Sequence, residues 1–278
     1  MDRYAVFGNP VKHSRSPWIH ARFAQQTDQS LSYTAEEIPL DQFDRHVLEF
    51  FNDGGAGLNI TVPFKEKAWA LCEVHSAFAL KAGAVNTLFR NAAGKLCGDN
   101  TDGVGMVRDI SGNHQGQLVG KTVLLIGAGG AARGVLPSLL AEHPKRITIV
   151  NRTLAKAQNL VRLFATQTVL TAAGYEDLVG TSFDVIINAT SAGLKGELPP
   201  LPGSIVSTDT WCYDMVYGRG DTVFQAWARQ CGAARSLDGV GMLVEQAAQS
   251  FYLWRGAKPD TAPVIAALRK ELQAPAQG

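Results

Sequence analysis

The sequence predicts an α/β fold in two domains, and three observations carry that expectation. Short β-rich runs alternate with helical patterns almost from end to end, the order that lays helices on largely parallel sheets. The chain has 278 residues, long for one core when a domain averages roughly 150 residues. A glycine-rich turn, 127-GAGGA-131, joins a strand pattern to a helix pattern near mid-chain.

In the first hundred residues, strands are expected at Tyr4–Phe7, Leu31–Ile38 and Gly57–Thr61, and helices at Pro17–Gln26, Asp41–Phe51 and Phe64–Cys72. Ala84–Phe89 and Lys95–Cys97 read as a hairpin around a turn at Asn91–Gly94. The middle section offers compact strands at Thr122–Ile126, Arg146–Val150, Phe183–Asn188 and Trp211–Met215. Pro137 falls inside the helix that follows the glycine turn; lacking a backbone N–H, it is expected to kink or break that helix. Leu154–Ala165 has the spacing of an amphipathic helix. The run 195-KGELPPLPGS-204 reads as a loop, and the tail from Val240 as two helices parted by a turn at Gly256–Asp260.

Hydrophobic residues make up 46% and charged residues 18%, a globular composition. Lys and Arg number 26 against 25 Asp and Glu, which leaves no electrostatic footprint for nucleic acid or an anionic membrane. Cys72, Cys97, Cys212 and Cys231 form no C-x-x-C pair, so reduced thiols are expected rather than disulfides or zinc. A strand pattern begins right after Met1-Asp2-Arg3 with no signal-peptide core, and no apolar run reaches the roughly 20 residues of a membrane span. A soluble cytoplasmic protein is expected. The six histidines are scattered, and Asp99 with Asp102 alone is thin support for magnesium, so no metal is expected.

The stretch 8-GNPVKHSRSP-17 places Ser14 and Ser16 at a strand-to-helix turn. Ser16 suits an N-cap and Pro17 the first helical position. Hydroxyls and unpaired backbone N–H groups at a helix start also suit an anion.

The strongest local signal is 122-TVLLIGAGGAARGV-135, where Gly127, Gly129 and Ala132 fit G-x-G-x-x-G/A between a strand and a helix. In that setting the first glycine makes the tight turn. The second admits a pyrophosphate, and the small third residue lets helix and strand pack closely. NAD-binding units usually carry an acid at the end of the next strand. Here 151-NRTLAK-156 follows instead. Arg152 and Lys156 offer donors to a 2′-phosphate, and Thr153 can cap the next helix, which favours NADP.

A nicotinamide cofactor implies hydride transfer with a proton donor or acceptor at the substrate oxygen. No Tyr is followed four residues later by Lys, so the short-chain dehydrogenase pair is missing. Lys65 lies in the first turn of a predicted helix, where the dipole disfavours a cation. Such a lysine is either well solvated or kept for a task, and neighbouring Lys67 shows that composition cannot choose between them.

The chain closely resembles the shikimate dehydrogenases over nearly its full length. The resemblance rests on GNPVKHSRSP at Gly8–Pro17, NITVPFK at Asn59–Lys65, GAVNT at Gly83–Thr87 and GDNTDG at Gly98–Gly103. It continues through GAGGAARG at Gly127–Gly134, NRT at Asn151–Thr153 and INATSAG at Ile187–Gly193. YDMVY at Tyr213–Tyr217 and DGVGMLVEQAA at Asp238–Ala248 complete it.

The resemblance implies that Ser14 and Ser16 hold the substrate carboxylate. Asn59, Thr61, Lys65, Asn86, Asp102, Tyr217 and Gln246 match the other substrate-binding positions, and Lys65 with Asp102 the catalytic pair. Gly127, Ala128, Gly129, Gly130 and Ala131 match the phosphate loop, and Asn151, Arg152, Thr153 and Lys156 the adenosine-phosphate clamp. Thr190, Ser191, Met215, Gly239 and Met242 match the nicotinamide side. In 75-HSAFALKAG-83, Ala77 stands where relatives often carry an acid, so no cofactor contact is expected there.

The family arrangement further implies a substrate domain of residues 1–101 plus 239–278, an inserted Rossmann NADP-binding domain of residues 102–238, and an active site in the cleft between them. The implied reaction is reversible reduction of 3-dehydroshikimate to shikimate with NADPH, a step of aromatic amino-acid biosynthesis, by a monomer or homodimer. A free lysine, with a pKa near about 10.4, starts protonated at neutral pH, as an acid in the reduction direction must. Two other readings stand beside this one: a relative preferring quinate or using NAD equally, and a small-molecule sensor without turnover. Lys65 and Asp102 together count against a sensor, since binding alone needs no proton-transfer pair.

Overall fold

A computed structural model describes residues 1–164 and 169–274. The first sheet holds β1 (Asp2–Gly8), β2 (Leu31–Glu37), β3 (Gly55–Ile60), β4 (Val74–His75), β5 (Thr87–Arg90) and β6 (Leu96–Asp99) in the order β2-β1-β3-β5-β6-β4. It is mixed: β1 pairs in parallel with β2 and β3, whereas β5 runs antiparallel to β3 and β6. The hairpin is the expected one, with strands that start at Thr87 and Leu96 rather than at Ala84 and Lys95. Helices α1 (Ser16–Gln26), α2 (Phe43–Asn52), α3 (Lys65–Leu71) and α4 (Ala77–Ala82) accompany this sheet. Its core is built on Phe7, Phe43, Leu58, Ile60, Phe64 and Leu88.

The second sheet is parallel throughout. It holds β7 (Thr122–Ile126), β8 (Arg146–Val150), β9 (Leu170–Ala173), β10 (Val185–Asn188), β11 (Trp211–Asp214) and β12 (Arg235–Leu237) in the order β12-β11-β10-β7-β8-β9. Along β7, Val123 and Leu125 enter one core cluster while Leu124 and Ile126 enter another. A strand covered on both faces reads as a continuous apolar run, which explains why TVLLI and RITIV were legible. Helices α5 (Asp102–Arg108), α6 (Gly130–Ala141), α7 (Leu154–Leu163), α8 (Val223–Gln230), α9 (Val240–Arg255) and α10 (Ala262–Gln273) complete the chain.

Three expectations are corrected. Of the kink or break expected at Pro137, the break does not occur: α6 runs from Gly130 to Ala141 through Pro137, whose neighbours Val135, Leu136 and Leu139 are buried, and that burial works against the proline cost of about 3 kcal/mol. Ser16 lies inside α1 and is not its cap; Arg15 holds the cap position, with no side-chain capping hydrogen bond. Thr153 does cap α7 by position, yet its side chain makes no capping bond. The last residue of the expected helix Leu154–Ala165 lies outside the described residues. Strands β4, β9 and β12 and helix α8 have no counterpart among the expectations; the strands are only two to four residues long.

By packing, the chain forms two compact units, Met1–Gly105 with Leu243–Ile265, and Met106–Met242 with Ala266–Gly278. The second unit takes in residues that the expected boundaries gave to the substrate domain. One reason is that Arg269 on α10 donates to both carboxylate oxygens of Asp238, at 2.9 and 2.8 Å. Among the described residues, no helix is long and apolar enough to cross a membrane, and no cluster of His, Cys, Asp or Glu could hold a metal.

Candidate active site

In the first unit, strand register gathers the site. Antiparallel pairing sets Asn59 of β3 opposite Thr87 of β5, and Thr87 opposite Asp99 of β6. Asn59, Asn86 and the residues after Asp99 therefore meet at one end of the sheet. Asp102 opens α5, where the helix dipole favours a carboxylate, whereas Lys65 opens α3, where it disfavours a cation. The mismatch at Lys65 is met by an ion pair: its Nζ lies 2.5 Å from Asp102 Oδ2. The side chains are only 22% and 10% exposed, so the pair is largely shielded from water and salt.

The other oxygen, Asp102 Oδ1, accepts from Asn86 Nδ2 at 2.8 Å. Asn86 is held in turn, its Oδ1 accepting from Thr101 N at 2.9 Å. Asn59 Nδ2 donates to Asn86 O at 3.1 Å, and Asn59 Oδ1 accepts from Tyr33 Oη at 2.7 Å. Gln246 on α9 presents Oε1 to Thr101 Oγ1 at 3.5 Å. Thr61 follows β3, and Gly8 is needed beside it because any Cβ there would strike Thr61 Cγ2. Ser14 Oγ accepts from Ser16 N at 3.3 Å, and desolvation holds the Tyr33 phenol well above its ordinary range, against a smaller opposing pull from Ser16. The Tyr33 ring stacks on His20 at 4.2 Å. Burial pushes His20 down to about 3, so it is neutral at physiological pH.

The sequence offered no sign of Tyr33, His20 or Ser250 as part of this cluster. Each sits in an ordinary strand or helix pattern, and no local spacing links it to the site.

The second unit carries the glycine loop. Gly127 has φ +106°, and a Cβ there would press to 3.2 Å on Ala189 O and Thr190 Cγ2. Gly129 and Gly130, at the start of α6, face open space where a side chain would project. The first turn of α6 has no acidic residue and no side-chain cap, so no side chain of that turn competes with an anion for its N–H groups. Ala128 is half-buried, Ala131 exposed and Ala132 fully buried. This cradle fits a dinucleotide pyrophosphate.

At the next strand end, Asn151 Nδ2 donates to Thr153 O at 3.0 Å. Arg152, Thr153 and Lys156 are exposed, and the first turn of α7 has no acid. Such a rim is suited to a phosphate and carries no carboxylate to accept from a ribose hydroxyl. Thr190 donates to Asn188 Oδ1 through N and Oγ1, at 3.1 and 2.7 Å, with Ser191 beside it. Met215 N donates to Asn188 O at 3.0 Å, and Gly239 packs so closely on Met215 O that no side chain fits. Met242 is buried against the same core, and Tyr217 is half-buried after β11. The expected residues thus fall into two groups, one in each unit.

A shielded lysine–carboxylate pair is chemically able to pass a proton to a carbonyl oxygen, and a glycine loop followed by a cationic strand end is able to take a phosphorylated dinucleotide. Fold and site together define an NADP-dependent dehydrogenase. Known proteins narrow the class. Residues 6–88 match the shikimate dehydrogenase substrate binding domain, residues 109–195 the shikimate/quinate 5-dehydrogenase model and residues 239–269 the shikimate 5′-dehydrogenase C-terminal domain. A shikimate dehydrogenase (NADP(+)) from Alkalilimnicola ehrlichii is 58% identical over 270 residues, covering 97% of this chain and 99% of the relative. The crystal structure of an Ael1 enzyme from Pseudomonas putida is 45% identical with a TM-score of 0.92, covering 99% of both chains. Shikimate 5-dehydrogenase from Thermus thermophilus, solved with NADP(H) and shikimate, is 32% identical with a TM-score of 0.86, covering 98% of this chain and 100% of its own. The chain belongs to the shikimate dehydrogenase family.

Proposed function

We propose that this chain reversibly reduces 3-dehydroshikimate to shikimate with NADPH, in the pathway to chorismate and the aromatic amino acids, with Lys65 as the proton-transferring group. The single observation that carries the site assignment is the 2.5 Å contact of Lys65 Nζ with Asp102 Oδ2, with Asn86 bracing the opposite oxygen. When bound, NADPH supplies the hydride. Lys65 Nζ delivers a proton to the ketone oxygen in reduction and takes it back in oxidation. Asp102 aims Lys65 and accepts from a substrate hydroxyl. Ser14 and Ser16 grip the substrate carboxylate, while Thr61, Asn86, Tyr217 and Gln246 line the substrate. Asn59 belongs to the same site, and its amide, engaged by Tyr33 and Asn86, braces the others.

Gly127 to Ala131 cradle the pyrophosphate. Asn151, Arg152, Thr153 and Lys156 hold the 2′-phosphate end, and Thr190, Ser191, Met215, Gly239 and Met242 border the nicotinamide. In this reading residues 1–101 with 239–278 form the substrate domain and residues 102–238 the NADP-binding domain. Each chain carries both residue sets, so the enzyme works as a monomer or a homodimer in the cytoplasm. The test is appearance of the reduced-nicotinamide absorbance band when protein, NADP and shikimate are mixed, with quinate and NAD as parallel arms. Turnover fastest with shikimate and NADP is expected. Faster turnover of quinate would move the substrate assignment, and silence in every arm would remove the enzyme reading.

A further inference from the structure

Ser250 lies on α9, one turn beyond Gln246, fully buried and outside every role assigned so far. Its Oγ accepts from Asn59 Nδ2 at 3.0 Å, lies 2.8 Å from Thr87 Oγ1 and 3.3 Å from Thr101 Oγ1, and is 3.1 Å from Gln246 O. The two threonine hydroxyls it meets both face Asn86 Oδ1, at 2.9 Å for Thr87 and 3.2 Å for Thr101. Each hydroxyl has one proton and several acceptors within reach, so the three proton directions are interdependent. Where Ser250 points its proton, Thr87 and Thr101 must answer, and their answer decides whether their hydroxyls reinforce the bond from Thr101 N that holds the Asn86 carbonyl at 2.9 Å.

Asn86 is the residue whose other end, Nδ2, donates to Asp102 Oδ1 at 2.8 Å. A loosened Asn86 amide can flip, and a flipped amide turns its oxygen against the carboxylate. We propose that Ser250 is a positioning residue for the reaction: acting through Thr87, Thr101 and Asn86, it holds Asp102 in register with Lys65. This inference rests on the roles given above to Lys65 and Asp102.

The test places Ser250→Ala and Ser250→Cys in the wild-type chain and in an Asp102→Asn background. The thiol is somewhat larger than the hydroxyl and donates only weakly, so the Cys variant leaves no cavity and carries the test if Ala fails to fold. In the wild-type chain, loss of alignment is expected to lower kcat for shikimate oxidation about tenfold while leaving KM for NADP unchanged. In the Asp102→Asn background the same substitution should cost less than about twofold, because the group being positioned is already gone. A full tenfold loss in both backgrounds would make Ser250 an ordinary core residue and overturn the inference alone. An unchanged kcat in the wild-type background would overturn it too. Normal turnover in Asp102→Asn by itself would strike at Asp102, and the Ser250 inference would fall with it.

Discussion

Lys65 Nζ and Asp102 Oδ2 lie 2.5 Å apart across 37 residues of sequence, each at the first position of its own helix. One of them sits with its helix dipole and the other against it, so the pair relieves at Lys65 what the dipole imposes. Lys65→Ala should cut kcat by about 10²–10⁴-fold, the usual contribution of a general acid–base group. Lys67 is exposed, with Nζ on Leu40 O at 2.7 Å, and Lys67→Ala should leave turnover near normal. Near-normal kcat in Lys65→Ala would end the proton-transfer assignment.

Asp102→Asn keeps the shape but loses the charge facing Lys65, so turnover should fall and shikimate affinity weaken. If the two residues act as a unit, Lys65→Ala with Asp102→Asn should be barely worse than the poorer single variant. Losses that multiply instead would show independent roles. Single-turnover kinetics of all three variants decide it.

Arg152→Ala should raise KM for NADP by about tenfold to a hundredfold, the worth of a charge-assisted hydrogen bond at roughly 1.5–3 kcal/mol, and change KM for NAD little. Equal losses with both cofactors would remove Arg152 from the 2′-phosphate.

Replacing Ser14 and Ser16 together by Ala should weaken shikimate binding and leave NADP binding unchanged by calorimetry. Because Ser16 does not cap α1, the capping penalty expected from sequence should not appear with it. A large drop in thermal midpoint with unaltered shikimate affinity would leave these serines a structural role only.

His20 ties stability to pH. Burial lowers it from 6.5 to about 3 in the folded state, so below about pH 6.5 the unfolded chain takes up a proton that the folded one refuses. Stability should therefore fall with pH from there down to about 3, by about 1.4 kcal/mol per unit from this group. His20→Phe should flatten that slope in urea titrations at pH 7, 6 and 5. An unchanged slope would show that other groups carry it.

Legibility followed distance along the chain. Strands β7 and β8 were found to the residue, and the glycine loop with them, since strand, turn and helix start are adjacent in sequence. Lys65 was visible as an anomaly, but its pairing with Asp102 came only through family resemblance. Local rules also misled: Pro137 suggested a break and Ser16 a cap, and in each case neighbouring packing or loop geometry overrode the local preference.

Short-range pattern sufficed for the fold class and for the glycine loop with Arg152 and Lys156 after it, because propensity and glycine geometry act within a few residues, whereas most other candidate residues came through the family resemblance. Which oxygen of Asp102 meets Lys65, which amide braces the other, and that Tyr33 and Ser250 belong to the same cluster depended on strands and helices meeting in space. Ser250 reaches Asn59 across 191 residues. A buried hydrogen bond demands both partners within about 3 Å, and only the folded chain brings groups so far apart in sequence to that distance.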